Sequence, residues 1–135
     1  MHPITMAFCE HAELRQDGKL DIHGAFVDLA APGFPAKQDR MVVVVAVEWG
    51  HDDAGRYRFK VELKAQSGHP SFTIDGETEV KPHGPGDRPA RTYLVMPVED
   101  VVFPKPGPYR LEATVKGQTL PGPVLHLWEI DEESS

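Results

Sequence analysis

Apolar and polar residues alternate with a period of two in short runs along most of this chain. Between Arg56 and Ala65, Tyr57, Phe59, Val61, Leu63 and Ala65 fall on one side, and Arg58, Lys60, Glu62 and Lys64 on the other. Tyr109 to Lys116 repeats the pattern, with Tyr109, Leu111, Ala113 and Val115 pointing inward. Such alternation is that of a half-buried β-strand. Met41 to Trp49 is instead a nearly continuous β-branched run, which reads as a central strand covered on both faces. Weaker strands are predicted over Ser71–Val80, Ala90–Val98 and Val124–Ile130, and Pro97 marks an edge or an end. Twelve glycines and thirteen prolines punctuate these runs. Residues 28–40 read as a crossover connection, and Lys81 to Pro89 as an exposed loop. Together the runs predict one all-β domain over residues 1–130, followed by an acidic tail at 131–135. Its expected architecture is a single antiparallel β-sandwich, immunoglobulin-like or C2-like, of about eight strands.

The first hairpin can be placed residue by residue. Thr5–Leu14 and Leu20–Val27 flank Gln16-Asp17-Gly18. A two-residue Asp17-Gly18 loop would set Ala12 opposite His23 and mix the faces. A three-residue loop with Gly18 in the left-handed region pairs Leu14 with Leu20, Ala12 with Ile22, Glu10 with Gly24 and Phe8 with Phe26. One face is then almost wholly apolar, which favours this register. The expected core is Phe8, Leu20, Ile22, Phe26, Val43, Val45, Val47, Phe59, Val61, Leu63, Tyr109, Leu111, Ala113 and Val115.

Charge and cysteine content narrow the function. The formal net charge is −7 over 135 residues, with no cluster of Lys or Arg, so nucleic acid is not an expected partner. The longest apolar run, Met41 to Val47, is far too short to span a bilayer, and no membrane partner is expected. The single cysteine, Cys9, forms no internal disulfide and points to a reducing, cytoplasmic compartment.

Several motifs stand in a fixed order: Cys9-Glu10, Asp17-Gly18-Lys19-Leu20, Gly24-Ala25-Phe26, Phe34-Pro35-Ala36, then Phe103, Pro106-Gly107 and Tyr109-Arg110-Leu111. In this combination the chain resembles an uncharacterised bacterial family of small cytoplasmic β-sandwich proteins, a domain of unknown function. It departs from that pattern in Val27 before Asp28 and in Pro108 beside the Pro-Gly pair. The resemblance implies the fold and carries over no catalytic residue.

Candidate sites follow from single residues. Glu10 lies on the apolar face of the hairpin, either as a ligand- or partner-binding acid, in an ion pair with an arginine such as Arg40, Arg91 or Arg110, or at the open end of the sandwich. His11 and His23 face each other on the other side, with Glu13 and Asp21 next along, a plausible set of metal ligands. His51-Asp52-Asp53 reads as a solvated turn, and Cys9 as a structural thiol. Trp49 and Trp128 both end strands, either as core-capping aromatics or, if both are exposed at one end, as a binding patch. No catalytic motif or cofactor fingerprint is present, so no cofactor is expected. The chain is expected to be non-enzymatic, binding another protein through a sheet edge or a sandwich end. The alternatives are a metal-binding protein using His11 and His23, or a hydrolase whose residues converge only in space.

Overall fold

A computed structural model describes residues 1–130, which form nine strands and no helix. They are β1 (His2–Leu14), β2 (Leu20–Phe26), β3 (Asp28–Ala31), β4 (Ala36–Glu48), β5 (Gly55–Ala65), β6 (Pro70–Val80), β7 (Arg91–Phe103), β8 (Gly107–Val115) and β9 (Gln118–Glu129). The expected acidic tail at 131–135 lies outside the described residues. One sheet has the order β2-β1-β4-β7 and is antiparallel throughout. The other, β3-β9-β8-β5-β6, curls as a half-barrel.

Two expectations are corrected here. There are nine strands, and one pair, β3 with β9, is parallel. Residues 28–31 read as part of a crossover because four residues are too few to show a period. Their partners, His126 to Glu129, lie almost a chain length away. The chain changes sheets at Val27, between β2 and β3.

A single large core joins the two sheets. Phe8, Met41, Val43, Val45 and Val47 enter it from one sheet, and Val61, Leu63, Leu111, Ala113, Leu125 and Leu127 from the other. Burying each of the larger of these contributes roughly 1.5–3 kcal/mol. No residue of the expected core is exposed; Leu20, Ile22, Phe26 and Phe59 are half-buried and the others are buried. Strand β4 is covered on both faces, as its composition implied. Val42 and Val44 form a second cluster with Cys9 and Ala12, and Leu20, Ile22 and Val95 pack against it.

The β1–β2 register is the one the three-residue loop requires. Leu14 pairs with Leu20, Ala12 with Ile22, His11 with His23 and Phe8 with Phe26, and Gly18 has φ 84°. The expected uniform apolar face does not hold, however. Phe8 and Phe26 serve the large core, Ala12, Leu20 and Ile22 serve the second cluster, and Leu14 is exposed. The change falls around Gly24, whose φ of 65° is left-handed.

The two ends of the molecule are built differently. At one end, Asp53 is buried and accepts hydrogen bonds from Lys116 Nζ, from the Gly50 N–H at 2.8 Å and from the Met1 ammonium at 3.2 Å. Its carboxyl is held well below the usual carboxylate range, chiefly by the Lys116 ammonium and then by the Gly50 N–H. Tyr57 donates to the Asp53 carbonyl at 2.7 Å and stacks on Trp49 with ring centroids 5.2 Å apart. At the other end, Tyr109 fixes the β7–β8 connection. Its hydroxyl donates to the Lys105 carbonyl at 2.7 Å and accepts the Lys105 N–H at 3.3 Å. Its ring meets Phe103 edge-on, with centroids 5.1 Å apart.

Candidate interaction surface

Strand alternation sorts the five-stranded sheet into an inner and an outer face. On the outer face, β5 and β6 set Arg56 opposite Glu79, Arg58 opposite Glu77 and Lys60 opposite Asp75. Opposite charges face one another across the two strands, with Arg58 and Glu77 3.8 Å apart, so this half of the face is a solvated charge ladder. The half formed by β3, β9 and the start of β8 is different. Asp28 lies beside His126, which lies beside Pro108, and Ala30 lies beside Trp128.

Trp128 is 58% exposed. Its indole is nonetheless held in place: Nε1 donates to Asp28 Oδ1 at 3.1 Å, and the ring stacks on His126 with centroids 6.1 Å apart. An open concavity of about 390 Å³ lies against it, lined by Pro106, Gly107, Pro108, His126, Leu127 and Trp128. Pro106 belongs to the connection that Tyr109 anchors and Pro108 to β8, so the wall facing the ring has little backbone freedom. A large aromatic that keeps its apolar body in water, with few side-chain rotamers to lose, is well suited to docking.

The patch is flanked by opposite charges. Asp28 lies on its β3 side and Arg110 on its β8 side, next to Lys64. Among the described residues Arg110 bonds only to the Gly122 carbonyl, at 3.4 Å, and neither it nor Asp28 forms an ion pair. Lys64 is engaged by Glu112 at 3.2 Å and by Glu62 at 3.7 Å.

The other expected site residues separate. Trp49 is a core-capping residue, which corrects only its alternative place in a binding patch. It is 3% exposed, donates Nε1–H to Thr92 Oγ1 at 2.9 Å, and lies at the end opposite Trp128. The two tryptophans therefore make no common patch. Glu10 is corrected from the core side to an exposed position. Its carboxylate folds over Gly24, where a β-carbon would collide with it. His11 and His23 stack in the open with centroids 5.8 Å apart. Among the described residues no three metal-ligating side chains converge, there or elsewhere. Cys9 is buried, its thiol directed at the Val42 carbonyl 3.6 Å away, and burial pushes its pKa up, which disfavours a thiolate. Asp53, expected in a solvated turn, is the buried acid described above, because its partner Lys116 comes from a distant connection. Trp128 is a candidate from sequence alone, whereas Asp28, His126 and Pro108 are not, because their nearness depends on the β3–β9 and β8–β9 registers.

A family model spans residues 4–126. The chain belongs to DUF6941, a family of unknown function. No curated protein and no solved structure matches it. The DUF6941 match takes in Asp28, Pro108, Arg110 and His126 and ends two residues before Trp128.

Among the described residues no helix is long and apolar enough to cross a membrane.

Proposed function

We propose that this DUF6941 chain is a non-catalytic protein-interaction module that docks through the Trp128 patch, within a bacterial cytoplasm. The observation carrying this reading is an exposed tryptophan, bonded to Asp28 and stacked on His126, beside a proline-walled concavity. Such an arrangement supplies apolar contact area at little entropic cost. The buried, proton-retaining Cys9 agrees with a reducing compartment.

We also read the fold as an immunoglobulin-like sandwich. Three features support this: the parallel β3–β9 pair, the β5-β8-β9 succession, and a tyrosine near the start of β8 bonded back to the preceding corner.

The test is photo-crosslinking in the native host, with a photoreactive residue in place of Ala30 or of Lys60. Both positions are exposed on the same outer face. Adducts with protein are expected from position 30 and not from position 60. Equal yields, or adducts from position 60 alone, contradict the assignment of the surface.

A further inference from the structure

Three open concavities meet at Pro108. The one against Trp128 adjoins a second of about 440 Å³ over Lys64, Pro108 and Arg110, and a third of about 430 Å³ between the β5–β6 turn and the β7–β8 connection. Together they form a groove across β9, β8 and β5. Two strand spacings make it about 10 Å across, the length of roughly three extended residues. Lys64, Lys105 and Arg110 are its Lys and Arg residues, and Glu112 is the only carboxylate that lines it. Lys64 engages that carboxylate at 3.2 Å. Asp28 lies beyond His126 from Pro108, and its Oδ1 accepts the Trp128 N–H. Arg110 differs from the arginines of the charge ladder. Arg56 and Arg58 each face a carboxylate across the strands, Glu79 and Glu77. Arg110 faces Lys64 on one side and Val124 on the other. Like charges opposed across strands are unfavourable. Its bond to the Gly122 carbonyl, at 3.4 Å, leaves most of the guanidinium donors free. Lys105 is exposed, and the Tyr109 hydroxyl holds its backbone N–H and carbonyl. The whole chain carries a net charge of −7, and the concavity at the Trp49 pole is lined by Glu48 and Asp87 with no Lys or Arg. The positive sign is local to the groove.

We propose that the partner protein fills this groove with an extended acidic segment, one carboxylate on the Arg110 guanidinium, another beside Lys105, and an apolar side chain against Trp128. This rests on the reading of the Trp128 patch as a docking surface. A guanidinium takes a carboxylate in two parallel hydrogen bonds and so fixes the position of the segment. Pro108 and Trp128 supply the apolar contact. The concavities are too open to enclose most of a small ligand, which a peptide lying along them does not require.

The test is selection of random dodecapeptides, displayed on phage, against the full chain. The selected peptides are then titrated by fluorescence anisotropy with the wild type and with variants whose folding is checked by circular dichroism. Selected sequences are expected to place acidic residues close to an apolar one, and their binding should weaken as salt rises. Arg110→Gln should weaken binding by about tenfold or more and Lys105→Gln by less, whereas Arg56→Gln, in the charge ladder, should leave it unchanged. Peptides remade with Asn and Gln for their carboxylates should bind weakly and no longer distinguish Arg110→Gln from the wild type. Selection of neutral or basic peptides, no enrichment at all, or acidic peptides that bind both groove variants as well as the wild type overturns the proposal. The crosslinking test separates the two levels. Adducts from position 30 whose crosslinked segment lacks acidic residues refute the acidic segment and keep the surface. Absence of adducts from position 30 refutes both.

Discussion

Two tryptophans end strands at opposite poles of this molecule, and the surroundings of each define what it does. At one pole Trp49 is enclosed, its N–H satisfied by Thr92 and its ring covered by Tyr57, with the buried Asp53 bonded from several directions. At the other, Trp128 bonds to Asp28 and stacks on His126, but its ring remains in water. The first pole is finished by the chain itself. The second leaves a large apolar ring, oriented by two neighbours, in water, an arrangement that intramolecular packing does not require. A strand-end aromatic is thus assigned to stability or to recognition by what covers it.

The largest expected effect is at the closed pole. Trp49→Ala removes a buried ring, its stacking on Tyr57 and its bond to Thr92, and should cost about 3–5 kcal/mol in chemical denaturation. A loss below about 1 kcal/mol, on the scale of surface substitutions, would erase the contrast between the poles.

Asp53→Asn comes next. It keeps the side-chain size but removes the charge that Lys116 and Gly50 stabilise, and a loss of about 2 kcal/mol is expected near neutral pH. The folded pKa is depressed below the unfolded value. The contribution is therefore complete above the ordinary carboxylate pKa of about 4 and fades as acid is added below it. The gap between wild type and variant should stay constant from neutral pH down to about 5 and shrink at lower pH. A gap that instead narrows between neutral pH and pH 5 contradicts the assignment.

How much of this was legible depended on distance along the chain. The β1–β2 register was readable because turn, pattern and partner lie within a few residues, and Gly18 sits where the turn needs it. The division of that hairpin's apolar residues between two clusters was not, since nothing in the alternation marks Gly24 as left-handed; Glu10 was misplaced for the same reason. Strand β3 was hidden because its pairing partner is β9, and Asp53 was misread because Lys116 is 63 residues away. Of the candidate surface, the exposed indole was nameable from sequence, while its supports come from three strands.

The two left-handed glycines of the hairpin offer a smaller, internal comparison. Gly18→Ala meets open space and should cost about 1 kcal/mol from backbone strain alone. Gly24→Ala also meets the Glu10 side chain, which is exposed and can swing aside, and should cost only about 0.5 kcal/mol more. Glu10→Ala in the Gly24→Ala background should recover that difference and do nothing for Gly18→Ala. Equal costs for the two glycine substitutions would show that the Glu10 contact is immaterial.

The smallest expected effect on stability is at the open pole. Trp128→Ala should change unfolding free energy by no more than about 0.5 kcal/mol, as an exposed substitution does, while weakening association.

The most direct measurement uses the fact that the chain has two tryptophans. Labelling with 5-fluorotryptophan gives one fluorine signal for each pole, assigned by Trp128→Phe. As association is driven, by a selected peptide or by a crosslinked partner, the Trp128 signal should shift or broaden while the Trp49 signal stays in place. A Trp49 signal that moves as much, or a Trp128 signal that does not respond while the protein demonstrably associates, would contradict the assignment of the open pole as the docking surface.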